Sequence, residues 1–285
     1  MVLAAFTAGC EKEIPFEGED ARTRIVMQSF LQPNNFFVVQ LTESKSVLES
    51  KWDDYPPILG ASVKMYKNGS YVEDLIQDPS NPDGLYYYFG LVEPGATYRF
   101  DVTHPNFEGV SGTTRVPETT PVFTAELIDT TGSEWTLEVT VNDVAPGPTH
   151  FLFELSFSQF GTNNQMAYFY SNDQFLLTPQ GYFDPVDPNQ YFNGEVFFTD
   201  EHFNNGTYSF RLEFYADFWT TQQYDYIDVV VKHASDDYYL YQFSGQLQQW
   251  VDGDPFAQPA QVHNNVENGI GCIGSFNPAV VRIDL

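Results

Sequence analysis

Cysteine is nearly absent from this chain: 285 residues contain two, Cys10 and Cys272. Neither a disulfide scaffold nor a cysteine-rich zinc site can be built from them. Basic residues are also scarce. Lys and Arg number 12 against 39 Asp and Glu, a formal net charge of −27. From residue 119 onward the only bases are Arg211, Lys232 and Arg282. A field of that sign repels nucleic acid and anionic membrane surfaces. No apolar run reaches the ~18 residues that span a bilayer as a helix. The five histidines, His104, His150, His202, His233 and His263, never stand three to five residues apart, so no His-based metal spacing exists. There is no Gly-x-Ser-x-Gly elbow and no phosphate-binding Gly-rich loop. The expectation is a protein without cofactor or metal, and not an enzyme.

What is abundant is aromatic. Phe, Tyr and Trp make up 17% of the chain, which favours strands and recognition surfaces over helical bundles. Short apolar runs between turn signals predict an all-β fold. Residues 22–118 read as about seven strands, starting with Ile25 to Phe30 and Phe36 to Leu41 and ending with Val110 to Val116. Asn68-Gly69, between Ala61-to-Tyr66 and Tyr71-Val72, is a hairpin signature, because a type I′ turn demands positive φ at both positions. This spacing predicts a β-sandwich of immunoglobulin, transthyretin or carboxypeptidase-regulatory type. Pro117-Glu118-Thr119-Thr120-Pro121 breaks strand pairing and marks the boundary to a second β-rich domain, 119–285. There Trp135 to Val141 alternates strictly, while Phe151 to Phe157 does so less cleanly. Residues 159–195 read as long loops with a strand or two inside, suited to binding. One helix is expected at about 235–250, capped by Ser235, with Asp236 and Asp237 at its positive end. Leu240, Phe243, Leu247 and Trp250 would share its buried face. Cys272 to Phe276 and Val280 to Asp284 read as two closing strands.

The first ten residues end in small residues and a cysteine, Thr7-Ala8-Gly9-Cys10, and look like a bacterial lipobox. In that reading residues 1–9 are the remnant of a signal peptide whose start lies upstream, and Cys10 carries the lipid. Residues 10–21, acidic and aperiodic, would be a flexible tether. If Cys10 is acylated, Cys272 is a lone buried thiol.

Candidate chemistry is thin. Asp252-Gly253-Asp254 and Asp184-Pro185-Val186-Asp187-Pro188-Asn189 resemble fragments of calcium loops, but both read better as turns. His104 reads as turn punctuation and His263 as a partner for loop backbone. Gly269-Ile270-Gly271-Cys272-Ile273-Gly274 spells a dinucleotide fingerprint without the helix that should follow, so its glycines are expected to permit bends or close backbone approach. Paired carboxylates for glycan hydrolysis would have to be found in space. Tyr86-Tyr87-Tyr88-Phe89, Tyr168-Phe169-Tyr170 and Tyr224-Asp225-Tyr226 place rings on both faces of their strands. One face should be core. The other serves either sugar or protein contacts or packing across the domain junction.

Four stretches together resemble a Bacteroidota family of outer-membrane lipoproteins known as domain of unknown function 4249. They are Cys10-Glu11-Lys12-Glu13-Ile14, Pro57 to Tyr66, the Tyr-rich Asp237-Tyr238-Tyr239-Leu240-Tyr241, and Asp254 to Pro259 leading into Asn264 to Gly274. The resemblance departs at Cys272-Ile273-Gly274-Ser275-Phe276, where an aromatic directly after the Gly-Ile-Gly run is expected. It implies lipid attachment at Cys10, an outer-membrane location on the cell-surface face (alternatively the periplasmic face), and a TonB-dependent outer-membrane transporter as partner. The expected function is a non-catalytic accessory or binding module beside that transporter. The alternative is a secreted glycan hydrolase.

Overall fold

The computed structural model describes residues 22–45, 55–78, 82–142, 147–159, 162–179, 181–182, 192–203, 206–216, 222–251, 258 and 260–285. Cys10, the tether and the acidic stretches 184–189 and 252–254 lie outside them. The first part of the chain forms β1 (Ile25–Leu31), β2 (Phe37–Glu43), β3 (Ser62–Lys67), β4 (Ser70–Asp74), β5 (Ile76–Gln77), β6 (Leu85–Tyr88), β7 (Thr97–His104) and β8 (Phe107–Arg115). The second forms β9 (Val122–Asp129), β10 (Glu134–Asn142), β11 (His150–Gln159), β12 (Thr162–Met166), β13 (Phe169–Tyr170), β14 (Leu177–Thr178), β15 (Gly181–Tyr182), β16 (Val196–Thr199), β17 (Thr207–Tyr215) and β18 (Tyr226–Ala234). Helix α1 (Asp236–Val251), β19 (Val266–Glu267) and β20 (Ile270–Asp284) complete it. The protein is mainly β, as its patterning predicts.

Side-chain period decides which face of each strand is buried. In β1, Ile25, Met27, Ser29 and Leu31 point inward. Asn68 and Gly69, at φ 49° and 81°, turn β3 into β4, as the type I′ reading requires. The poor alternation of β11 also has a cause: Phe151, Leu152 and Phe153 are all buried, because this strand is covered on both faces.

One long sheet runs β15-β14-β16-β11-β18-β20-β1-β2-β6-β5, with β12 added to β11. Two smaller sheets pack on one face of it. The five-stranded sheet β19-β8-β7-β3-β4 closes a core that includes Met27, Val39, Leu41, Val63, Tyr98 and Phe100. The four-stranded sheet β13-β17-β10-β9 closes a core that includes Leu137, Val139, Phe153, Phe169, Leu212 and Val229. Residues 117–121 lie between Val116 of the first core and Phe123 of the second. Helix α1 covers the opposite face, where Tyr238 and Tyr239 meet Leu152, Phe197 and Ala234.

Two expectations are corrected here. The first concerns β20, expected as two strands but observed as a single strand of 15 residues. Its first part pairs in parallel with β1, from Val26↔Ile270 to Leu31↔Ser275. Its second pairs antiparallel with β18, from Ala234↔Phe276 to Tyr226↔Asp284. Past Ser275 the strand has β18 alone beside it among the described residues, so Pro278 is accommodated at an edge. Through β20 the first core acquires Ile273, and through β19 it acquires Val266.

The second correction is the buried face of α1. Leu240 is 44% and Trp250 60% exposed. Of the four residues expected inward, Phe243 packs against the core under the helix. The sheet beneath offers the rings of Phe30, Phe197 and Phe276, so aromatic partners are drawn down instead. Tyr238 meets Phe30 edge-on at 5.2 Å and Phe276 at 4.8 Å, and Tyr239 meets Phe197 at 5.4 Å. The expected cap holds, with Tyr238 N donating to Ser235 Oγ at 3.3 Å.

The glycine and asparagine run before β20 is a set of fasteners. Gly271 sits at φ +123°, and a Cβ there would lie 2.1 Å from Met27 O across the ladder. A Cβ at Gly274 would lie 2.9 Å from Tyr238 Cβ. Asn265 Oδ1 accepts from Ile273 N at 2.8 Å, while its Nδ2 donates to Ile273 O at 2.9 Å and Thr113 O at 3.2 Å. Gly271→Ala should destabilise the fold by about 3 kcal/mol through strain and a backbone clash. Asn265→Ala should cost about 2 kcal/mol by leaving the buried Ile273 N–H unpaired. Urea unfolding of both variants measures these losses.

Candidate functional site

The only lysine after residue 119, Lys232, stands in β18 on the face that α1 covers. Its side chain is 11% exposed, and two carboxylates close on it: Glu154 of β11, 24% exposed, and Glu195 just before β16, 13% exposed. Nζ donates to Glu154 Oε1 and, at 2.7 Å, to Glu195 Oε1. Gln246 of α1 donates through Nε2 to Glu195 Oε2 at 3.3 Å. The Phe276 ring lies 5.2 Å from the ammonium. One cation thus serves two acids in a poorly solvated place. Burial raises the Glu195 carboxyl, the Lys232 charge opposes the rise, and Glu154 adds to it, leaving a value of about 7. Burial pulls the Lys232 ammonium down, but the two glutamates outweigh it, and the ammonium ends above its ordinary value. Burial also pushes the Tyr238 phenol up, helped by Glu195.

Glu195 forms part of the floor of an open cleft of about 420 Å³. Its walls come from Met166, Pro179, Phe192 and Asn193 on one side and from Gln246, Gln249 and Trp250 of α1 on the other. Gly194, at φ +151°, allows the chain to turn with the Phe192 ring about 3.0 Å from where a Cβ would stand. The exposure of Trp250, unexplained by the core, places an indole at this rim.

Two other concavities have different chemistry. One, of about 680 Å³, lies at the junction and includes Arg115, Thr119, His233, Ser235 and Asp236. His233 Nδ1 lies 3.0 Å from Thr119 O, and His150 Nδ1 lies 3.0 Å from Asp236. The other, of about 820 Å³, is a groove along β9, β10 and β17 with Asp129, Glu138, Asp173 and Glu213. Arg211 in that groove is paired to Glu138 at 2.8 Å.

The aromatic runs separate cleanly. In β6, Tyr86 is core and donates to Ile58 O at 2.9 Å, whereas Phe89 is 75% exposed. Tyr87 and Phe89 stack at 6.4 Å with 4° between their planes, and Phe36 joins them at 6.4 Å and 5.9 Å. Ile76, 68% exposed, stands opposite Tyr87 across the β5–β6 pair and extends the same edge of the long sheet. Phe169 and Tyr170 are buried while Tyr168 faces solvent. Tyr224 stacks on Phe157, and Tyr226 lies under Arg282 at 4.5 Å.

Other residues singled out by sequence have structural employment. Asn106 N donates to His104 Nδ1 at 3.2 Å, a turn as expected. His263 departs from expectation: its Nε2 meets Asp237 Oδ1 at 2.7 Å, because α1 brings a carboxylate within reach. Cys272 is buried and free. Burial pushes its thiol up to about 12, so it is a poor nucleophile. The Lys232–Glu154–Glu195 centre was missed by sequence reasoning. Its signal was a lone lysine directly after the apolar Val229-Val230-Val231.

A family model, Domain of unknown function (DUF4249), matches residues 11–282. The chain belongs to this family. The match spans both cores, the helix and most of β20. No curated protein shows significant similarity to the chain.

Because the folded state raises the Glu195 value from 4.5 to about 7, folding favours its protonated form. Its contribution is therefore complete below the unfolded value and is lost as pH climbs through the folded one. Relative to Glu195→Gln, the wild-type protein should lose up to about 3 kcal/mol of stability across that window. Denaturant midpoints of the two proteins as a function of pH check the slope and its sign.

Proposed function

We propose that this family member is a non-catalytic binding module, held at the outer membrane through a lipid on Cys10 and seated beside a TonB-dependent outer-membrane transporter. The observation that carries the reading is the exposed, largely aromatic edge formed by Phe36, Tyr87, Phe89 and Ile76. Large apolar side chains clustered in water mark contact surfaces, and interface centres are enriched in such rings. A second copy is an unfavourable occupant, since two bodies of formal charge −27 repel. The edge strand β5 has two residues, too short to template strand addition, so side chains rather than backbone would make the contact. The lipobox-like start and the family resemblance support this location, on the cell-surface face (alternatively the periplasmic face), and this kind of partner.

Glycan hydrolysis is the second reading, and one described pair of carboxylates that come together is Glu154 and Glu195. Both accept from Lys232, an arrangement that favours a structural ion cluster over a nucleophile and acid. The proposal is tested by isolating the protein from native membranes. Wild type should bring a stoichiometric barrel partner, and Phe36→Ser/Phe89→Ser should weaken capture about tenfold or more, as loss of central aromatic contacts does. Cys10→Ala should pass into the soluble fraction. A barrel absent across mild detergents, or reducing sugars released from glycans by the pure protein, would overturn the reading.

A further inference from the structure

We propose that the cleft between the last turns of α1 and segment 192–195 binds a neutral saccharide. The site is distinct from the aromatic edge, and the inference rests on reading the chain as a binding module. Its volume, about 420 Å³, falls within the ~300–1,000 Å³ typical of small-molecule sites.

The lining selects the ligand class. Asn193, Gln246 and Gln249 present side-chain amides, each able to donate and to accept. Trp250, 60% exposed, offers a flat indole face at the rim. A pyranose matches both: its hydroxyls exchange hydrogen bonds with amides and carboxyl, and its C–H face stacks on an indole. An anionic ligand finds no free cation, because Lys232 is 11% exposed and already held by two carboxylates. A cationic ligand would compete with Lys232 for Glu195 in a better-packed setting. A wholly apolar ligand would strip water from the Asn193 and Gln249 amides without replacing their hydrogen bonds. Peptides also bond to amides, but a peptide would dock chiefly through its backbone on a strand edge, whereas most of this lining is side chains of α1 and segment 192–195.

The experiment titrates maltose, cellobiose, xylobiose and mannobiose, and separately a tryptic peptide pool, into the full chain. The indole N–H resonance of Trp250 and calorimetry are the readouts. At least one disaccharide should shift that resonance and release or absorb heat. Trp250→Ala should bind it about tenfold more weakly, and Trp250→Phe should recover most of the loss. Thermal unfolding should be unchanged in both, since the indole is exposed. The aromatic-edge variant Phe36→Ser/Phe89→Ser should bind the sugar normally, and Trp250→Ala should still capture the barrel, so the two proposals fail separately. No shift with any disaccharide, binding that survives Trp250→Ala, or a Trp250-dependent response to peptides in place of sugars would each overturn the saccharide assignment.

Discussion

The fold depends on one strand being shared. β20 lies beside β1 with its first residues and beside β18 with its last, so a single hydrogen-bonded ribbon belongs to both sandwiches. Ile273 fills the first core, while Val281 and Ile283 pack against the second. Such a strand must cross from one environment to the other without losing its ladder. Gly271 lets it press against Met27, Gly274 makes room for Tyr238, and Asn265 ties it to Thr113 and to its own Ile273. The residues that make the carboxy-terminal stretch distinctive therefore answer to construction and not to ligand chemistry.

A second constraint is the shortage of positive charge. Each of the three bases beyond residue 119 is committed across strands. Arg211 of β17 holds Glu138 of β10, Arg282 of β20 holds Asp228 of β18, and Lys232 holds Glu154 and Glu195. The Arg282 contact is bidentate, at 2.6 Å and 2.9 Å. With help from Ser158, it keeps the buried Asp228 carboxyl below the usual range. Removing any one base would leave an acid facing other acids, and for Asp228 or Glu195 it would do so away from water. Not every acid without a base partner is exposed: Asp200 is 1% exposed and accepts from Thr149 N at 2.9 Å.

Much of this was legible in sequence because it is local. Alternation placed β10, apolar runs between turn signals placed β1 and β2, Asn68-Gly69 placed a hairpin, and Ser235 placed the start of α1. What could not be read was what non-local packing decides. The helix face was misassigned because Leu240 and Trp250 have the right period, yet the sheet below presents rings that pair better with Tyr238 and Tyr239. β20 looked like two strands because Pro278 ordinarily ends one, and its tolerance comes from an edge created by tertiary arrangement. The Lys232 centre joins residues from β11, β18 and segment 192–195, which no spacing rule connects. The Tyr86 to Phe89 run was readable as two-faced, but which face stays wet depended on where the sheet ends.

The parallel pairing of β1 with β20 has a temporal consequence. As the chain leaves the ribosome amino end first, β1 and its neighbours emerge long before the segment that completes their sandwich. Until Val266 and Ile273 arrive, the first core lacks two of its buried side chains, and β1 exposes a bare ladder on one side. Contacts of such long sequence separation slow folding and leave unfinished edges open to mispairing. Both cores therefore receive side chains from the last strand of the chain to be made.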